Sequence, residues 1–174
     1  MQKIGYKRIS LVILLLSIFT LWFTSPKQHT TTLQGISYQL GTENTHIEKR
    51  VEIYLDGKLQ RGLLGDIIFK GNIDIENVNF PVPENERQIT IKNGEGHLAW
   101  GWYEDGNSRT YSYGTILTDE EFKQITILKH ISANSSTNNK GWTSKDGHTI
   151  SAPANNRMEA IEITNKLKPK LKDT

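Results

Sequence analysis

Apolar and polar residues alternate with period two in one short run after another. Ile36, Tyr38 and Leu40 are separated by Ser37 and Gln39, and Val51, Ile53 and Leu55 by Glu52 and Tyr54. Ile67 and Phe69, Ile73 and Ile75, Ile89 and Ile91, and Ile125 and Ile127 repeat the pattern. Successive side chains of a strand point to opposite faces, so this period commits the chain to β-structure with one face buried. Turn residues punctuate the runs at Asp56-Gly57, Gly71-Asn72, Asn93-Gly94-Glu95-Gly96, Asp105-Gly106 and Lys145-Asp146-Gly147. Asp-Gly supplies the positive φ of a type I′ turn, which predicts a hairpin at 56–57 with Leu59 on the returning strand. Pro81 and Pro83 stop pairing, because proline has no N–H to give a ladder.

Helical signals are confined to a few places. Thr118-Asp119-Glu120-Glu121 reads as a capping box, predicting a short helical turn with Phe122 inward and a strand over 124–131. Residues 132–141, SANSSTNNKG, read as a polar loop. Asn155 or Asn156 can cap a helix from Arg157 to about Lys168. Ala160, Ile163, Thr164 and Leu167 share one side of it, and Pro169 ends it.

The first 24 residues are unlike the rest. Lys3, Lys7 and Arg8 precede ISLVILLLSIFTLWF, an uncharged apolar run over residues 9–23. A charged region followed by an apolar one is the pattern of a targeting segment. Trp22 and Phe23 are bulky where a cleavage site needs small residues, so the expectation is an uncleaved anchor, with secretion after cleavage as the alternative. The run is short for a span unless it extends back through Ile4 and Tyr6 with Lys7 and Arg8 snorkelling. The positive flank would keep the N-terminus cytoplasmic and place the remainder outside. Residues 25–34, with Pro26 and three threonines, read as a tether.

Removing Lys3, Lys7 and Arg8 changes the charge balance. The chain has 21 basic and 19 acidic residues. Eighteen basic residues (21 − 3) then face all 19 acidic ones, a net −1, which argues against a nucleic-acid partner. There is no cysteine, so neither a disulfide nor a lipid attachment through a thiol is open to it. The domain must be stabilised by burial alone, and about 140 residues suffice for an independent core. Lys outnumbers Arg 15 to 6, a composition that suits a low-GC Gram-positive bacterium.

One stretch concentrates rings. Residues 97–114 read HLAWGWYEDGNSRTYSYG. A two-residue turn at 105–106 would place Trp100 opposite Tyr111, Leu98 opposite Tyr113, and Trp102 opposite Arg109 in a possible cation–π contact. Trp100, Trp102, Arg109, Tyr111 and Tyr113 are therefore the candidate binding residues. Stacked on one open face they would receive a sugar or a partner protein. Turned inward they would fill the core, each burying about 150–250 Å². The core reading is favoured, with Trp102 and Arg109 the expected exceptions at the rim.

Other chemistry is thinly supported. His97 follows Glu95 at strand spacing, which puts both on one face, but no third ligand stands nearby in sequence. No HExxH, GxSxG, Walker or SxxK motif occurs. Glu104-Asp105 suits a turn and Glu120-Glu121 a first helical turn, so neither pair requires catalysis to explain it. Gly5 before the apolar run is a poor match to a prepilin processing site, because Lys7 and Arg8 intrude and Ser10 stands where an acid is needed. Asn134-Ser135-Ser136 fits the glycosylation pattern within a Ser- and Asn-rich run where a match arises by chance. No catalytic residue, metal ligand or cofactor is assigned.

GWTSKDGHTISAPANNRMEAIEITNKL, residues 141–167, resembles the C-terminal segment of small exported proteins of Bacillus-type bacteria. The likeness is carried by Trp142, Lys145-Asp146-Gly147, Ala152-Pro153 and the Arg157-x-Glu159-Ala160 helix start. It implies an intact terminal strand–helix unit and adds no catalytic residue.

These readings predict an α+β domain, mainly an antiparallel β-sheet with a C-terminal helix packed on it, preceded by an N-terminal transmembrane anchor. The divisions are 1–24 anchor, 25–34 tether, 35–168 domain and 169–174 basic tail. The expected role is a binding or interaction module at the cell envelope. The expected partners are the membrane, through the N-terminal helix, and an envelope protein or polysaccharide. A small polysaccharide hydrolase and a tethered domain without ligand are the alternatives.

Overall fold

The computed structural model describes residues 3–41, 43, 46–130 and 142–168, with side chains from residue 10 onward. The polar loop, Asn134 and the basic tail expected from sequence lie outside the described residues. Helix α1 (Lys3–Thr24) leads into eight strands: β1 (Lys27–Gln39), β2 (Glu48–Arg61), β3 (Ile67–Ile75), β4 (Ile89–Lys92), β5 (Glu95–Glu104), β6 (Asn107–Thr118), β7 (Ile125–Lys129) and β8 (His148–Ala152). Helix α2 (Arg157–Leu167) follows.

Each strand pairs antiparallel with the next, and β1 pairs with β8 to close a barrel. The predicted sheet on which a helix packs is thus corrected to a closed β-barrel. Ile36 opposite Ser151 and Tyr38 opposite Thr149 make the closing seam. Closure covers the two end strands of the sheet against each other over Ile36–Gln39 and His148–Ser151.

The transmembrane anchor is also corrected: among the described residues no helix is long and apolar enough to cross a membrane. The apolar run of α1 is the physical limit. Fifteen helical residues reach about 22 Å at 1.5 Å each, short of a hydrocarbon core of about 30 Å. Leu11, Leu15, Phe19 and Trp22 of α1 are exposed.

An eight-stranded barrel is just wide enough for side chains to fill. Ile53, Leu55, Phe69, Ile73, Ile91, Leu98, Ile116 and Ile127, all buried, do so here. A second apolar cluster lies outside the wall, where Ala160, Ile163 and Leu167 of α2 cover Ile36, Tyr38, Leu117 and Leu128. Strands under α2 are therefore buried on both faces, as in Ile125–Lys129 with its four consecutive buried residues, Thr126 among them. Asn156 caps α2 by accepting from the Glu159 N–H, as the sequence suggested.

Beneath α2 sits a closed group of hydroxyls. Tyr38 Oη is 2.6 Å from Thr164 Oγ1, Ser151 Oγ is 2.8 Å from the same atom, and Thr126 Oγ1 is 3.0 Å from Ser151 Oγ. All four are buried, and burial, the first cause, lifts the Tyr38 pKa above its ordinary value. Mutual bonding satisfies groups that would otherwise be costly to bury.

Several local expectations are revised. Asp56-Gly57 is not a turn but the middle of β2, and Gly71-Asn72 is the middle of β3. Gly57 and Gly71 face each other, and a Cβ on Gly57 would lie 2.6 Å from the Gly71 Cα and 2.8 Å from Phe69 Cζ. These glycines let two backbones close on the Phe69 ring, a barrel-wall use rather than a turn use. Residues 27–34, read as tether, are the first half of β1. Residues 118–124 form a turn without a helix, in which Asp119 accepts from the backbone of Lys123 and Gln124. Phe122 points inward as expected, at φ 57°. Strand pairing ends at Lys129, and at 142–152 only β8 is a strand.

Candidate functional site

The aromatic residues lie on the β5–β6 hairpin, whose register fixes their neighbours. Trp100 pairs with Tyr111 and Trp102 with Arg109, as the 105–106 turn requires. Leu98, however, pairs with Gly114 and not Tyr113, because a bulge follows between Leu98 and Ala99. The extra residue keeps Tyr111 and Tyr113 inward and lets Ile116 point inward beyond it. The spacing does not reveal this slip, because Ile116 and Leu117 are adjacent and both apolar, and Leu117 continues the alternation of Tyr111 and Tyr113.

The five candidates do not share one environment. Trp100 and Tyr113 are buried, at 6% and 4% exposure. Trp100 stacks on Tyr111 at 6.1 Å and 11°. Phe80 completes the group, 5.1 Å from Trp100 and 5.2 Å edge-on from Tyr113. Burial, followed by the neighbouring Tyr111, pushes the Tyr113 pKa up to about 12. Burial also raises that of Tyr111. Trp102 and Tyr111 are half-buried, and Arg109 is exposed.

The hairpin runs past its neighbours: β4 meets β5 only at Glu95 and Gly96, and β7 meets β6 only from Gly114 to Thr118. Its far half projects beside residues 80–83. An open groove of about 580 Å³ lies there, with Phe80, Pro81, Val82 and Pro83 on one side and Trp102 and Tyr111 on the other. Pro81 and Pro83, strand breakers by sequence, are also part of this wall. Phe-Pro-Val-Pro was the available signal, since two fixed φ angles make a stiff apolar ridge.

Arg109 does not lie over the Trp102 ring. Its Nε is 3.4 Å from Glu104 Oε2, an exposed ion pair at the rim worth at most about 1 kcal/mol. The indole N–H groups of Trp100 and Trp102 are shielded from solvent and have no acceptor among the described residues. Each such donor costs about 1–3 kcal/mol, which burial of the rings must offset.

The polar candidates yield less. His97 pairs across the ladder with Thr115, on the outer wall. Close by, His130 Nδ1 is 3.1 Å from Ser112 Oγ and its Nε2 is 3.4 Å from Thr115 Oγ1. Burial, then His97, lowers the His130 pKa. A serine–histidine pair needs an acid to stabilise the imidazolium that forms, and here the second nitrogen meets a threonine. No group of three or more metal-ligating side chains occurs among the described residues. Glu121 and Glu159 have lowered pKa values, held chiefly by the hydrogen bond from Lys123 and by the Asn155 backbone N–H respectively. Neither is the raised carboxyl that general-acid chemistry on a glycosidic bond calls for.

No family model, curated protein or solved structure matches this chain.

Proposed function

We propose that this protein is an exported binding module that holds a saccharide chain in the groove between residues 80–83 and the projecting half of the β5–β6 hairpin. One observation carries the reading: Trp102 and Tyr111 present partly open rings to a groove whose polar rim is the Arg109 and Glu104 pair. Aromatic faces receive the C–H faces of sugar rings, and the charged rim offers donors and acceptors to hydroxyls. The filled lumen favours a ligand held at the hairpin over one enclosed by the barrel. A hydrolase reading has less support, because Glu104 is the one carboxylate lining the groove and it is paired with Arg109. The basic flank and apolar run at the N-terminus support export, with α1 as a targeting segment.

Titration of the full chain with neutral oligosaccharides, read by tryptophan emission, tests the reading. Binding should be lost in Trp102→Ala, with the fold retained by circular dichroism. An unchanged affinity in that variant, or release of new reducing ends from the ligand, rejects it. Fractionation of cells making the tagged chain tests export, and protein confined to the cytoplasm rejects that part.

A further inference from the structure

On the outer wall, away from the aromatic groove, a second groove of about 510 Å³ runs over β2 and β3. Lys58 and Lys70 both line it and are direct cross-strand partners. Like charges placed opposite each other destabilise a sheet. Both are exposed, and neither makes an ion pair among the described residues. One carboxylate lines the same groove: Asp56, whose Oδ1 accepts from Gln28 Nε2 at 2.8 Å and from Thr30 Oγ1 at 2.7 Å. Gln60, Asn72 and Gln88 add amide groups to the same groove. Lys92, diagonal to Lys70 on β4, extends the positive strip, with Asp66 3.9 Å from its ammonium. This strip stands on a domain whose net charge is −1 once the N-terminal flank is set aside.

We infer that the Lys58/Lys70 groove binds a phosphate-bearing polymer. Lys58 and Lys70 outnumber Asp56, the one carboxylate lining the groove, and an external anion relieves the repulsion that Asp56 leaves. Lysine binds phosphate as a point charge, and the amide N–H groups of the lining meet its further oxygens without the fork that an arginine would supply. A chain of phosphates fits better than a single ion, because Gln60, Asn72 and Gln88 extend the donors of the groove beyond the lysine pair. The inference does not rest on the aromatic groove, and Trp102→Ala leaves it unaffected.

The test measures binding of the full chain to polyphosphate and to polygalacturonate at low and high salt. Polyphosphate should bind more tightly, and its affinity should fall with salt. The double variant K58Q/K70Q should lose roughly tenfold or more, whereas K145Q in the 142–148 turn should match the parent. Because the double variant also removes a repulsion, its melting temperature should equal or exceed that of the parent. Equal binding by K58Q/K70Q and the parent overturns the inference. So does a preference for polygalacturonate, and so does a lower melting temperature of the double variant, which would make the lysines stabilising members of the wall.

Discussion

Phe80 is the residue on which the candidate site most depends. It touches both Trp100 and Tyr113 and forms one wall of the groove. Phe80→Ala should cost about 3–5 kcal/mol, because it removes a buried ring and leaves a cavity. Chemical denaturation measures that loss, and a red shift of tryptophan emission reports Trp100 meeting water. Tyr113 gives a second residue-scale test through pH. Its pKa rises from 10.0 to about 12 in the fold. The folded state then holds its proton more tightly than the unfolded state. Stability contributed by the neutral phenol is complete below pH 10 and falls as pH rises through about 12. Unfolding measured between pH 9 and 11.5 should show this decline, and Tyr113→Phe should flatten it. The hairpin and most of its pairing were legible. The environment of each ring was not, because the bulge and the ridge at 80–83 decide it, and neither belongs to the alternation that marks the strands.

At the scale of elements, β2 and β3 depend on absent side chains. A Cβ on Gly57 would sit 2.4 Å from the Lys70 carbonyl oxygen, and backbone cannot swing aside as a side chain can. Gly57→Ala should destabilise the barrel by about 1–3 kcal/mol, the usual cost of overpacking, read from its melting temperature. The sequence showed Asp56-Gly57 and Gly71-Asn72 plainly, yet local turn chemistry was the wrong account of them. Glycine serves a tight turn and a close strand crossing equally well, and only the partner strand distinguishes the two. Helix α2 was the opposite case. Its cap, its apolar stripe and its end are all local, and all were readable. Its docking depends on the hydroxyl group beneath it. Thr164→Val removes the atom that Tyr38 and Ser151 both meet. The expected loss is about 1–3 kcal/mol, larger than deletion of one surface hydrogen bond, because two buried hydroxyls lose their shared partner. Denaturant titration of this variant against Ser151→Ala would show whether Thr164 is the hub.

For the whole molecule, alternation marked antiparallel β-structure, but it divided β2 and β3 at their glycines, missed the first half of β1 and gave no sign of closure. Alternation says that one face of each strand is buried, and an open sheet under a helix meets that demand as well as a barrel does. What separates them is the pairing of Ile36 with Ser151 and Tyr38 with Thr149, contacts between the two ends of the domain that no nearby residue announces. Runs that are buried on both sides, as in β7 and β8, were the nearest clue, since they require cover both inside and out.

That seam has a consequence for how the chain is made. The first strand to emerge from a ribosome or a translocon is the one whose second partner emerges last. Until Thr149, Ile150 and Ser151 arrive, β1 and β7 each expose an unpaired edge, and the filling of the lumen stays open to water on that side. A fragment stopped at residue 147 should therefore bind hydrophobic dyes more strongly and aggregate more readily than the full chain, both carrying the apolar run of α1. A fragment that matches the full chain in both would show that seven strands suffice. Growth of this protein is thus a race between synthesis of its last strand and misuse of its first, and any delay in that interval should favour a chaperone that shields exposed strands.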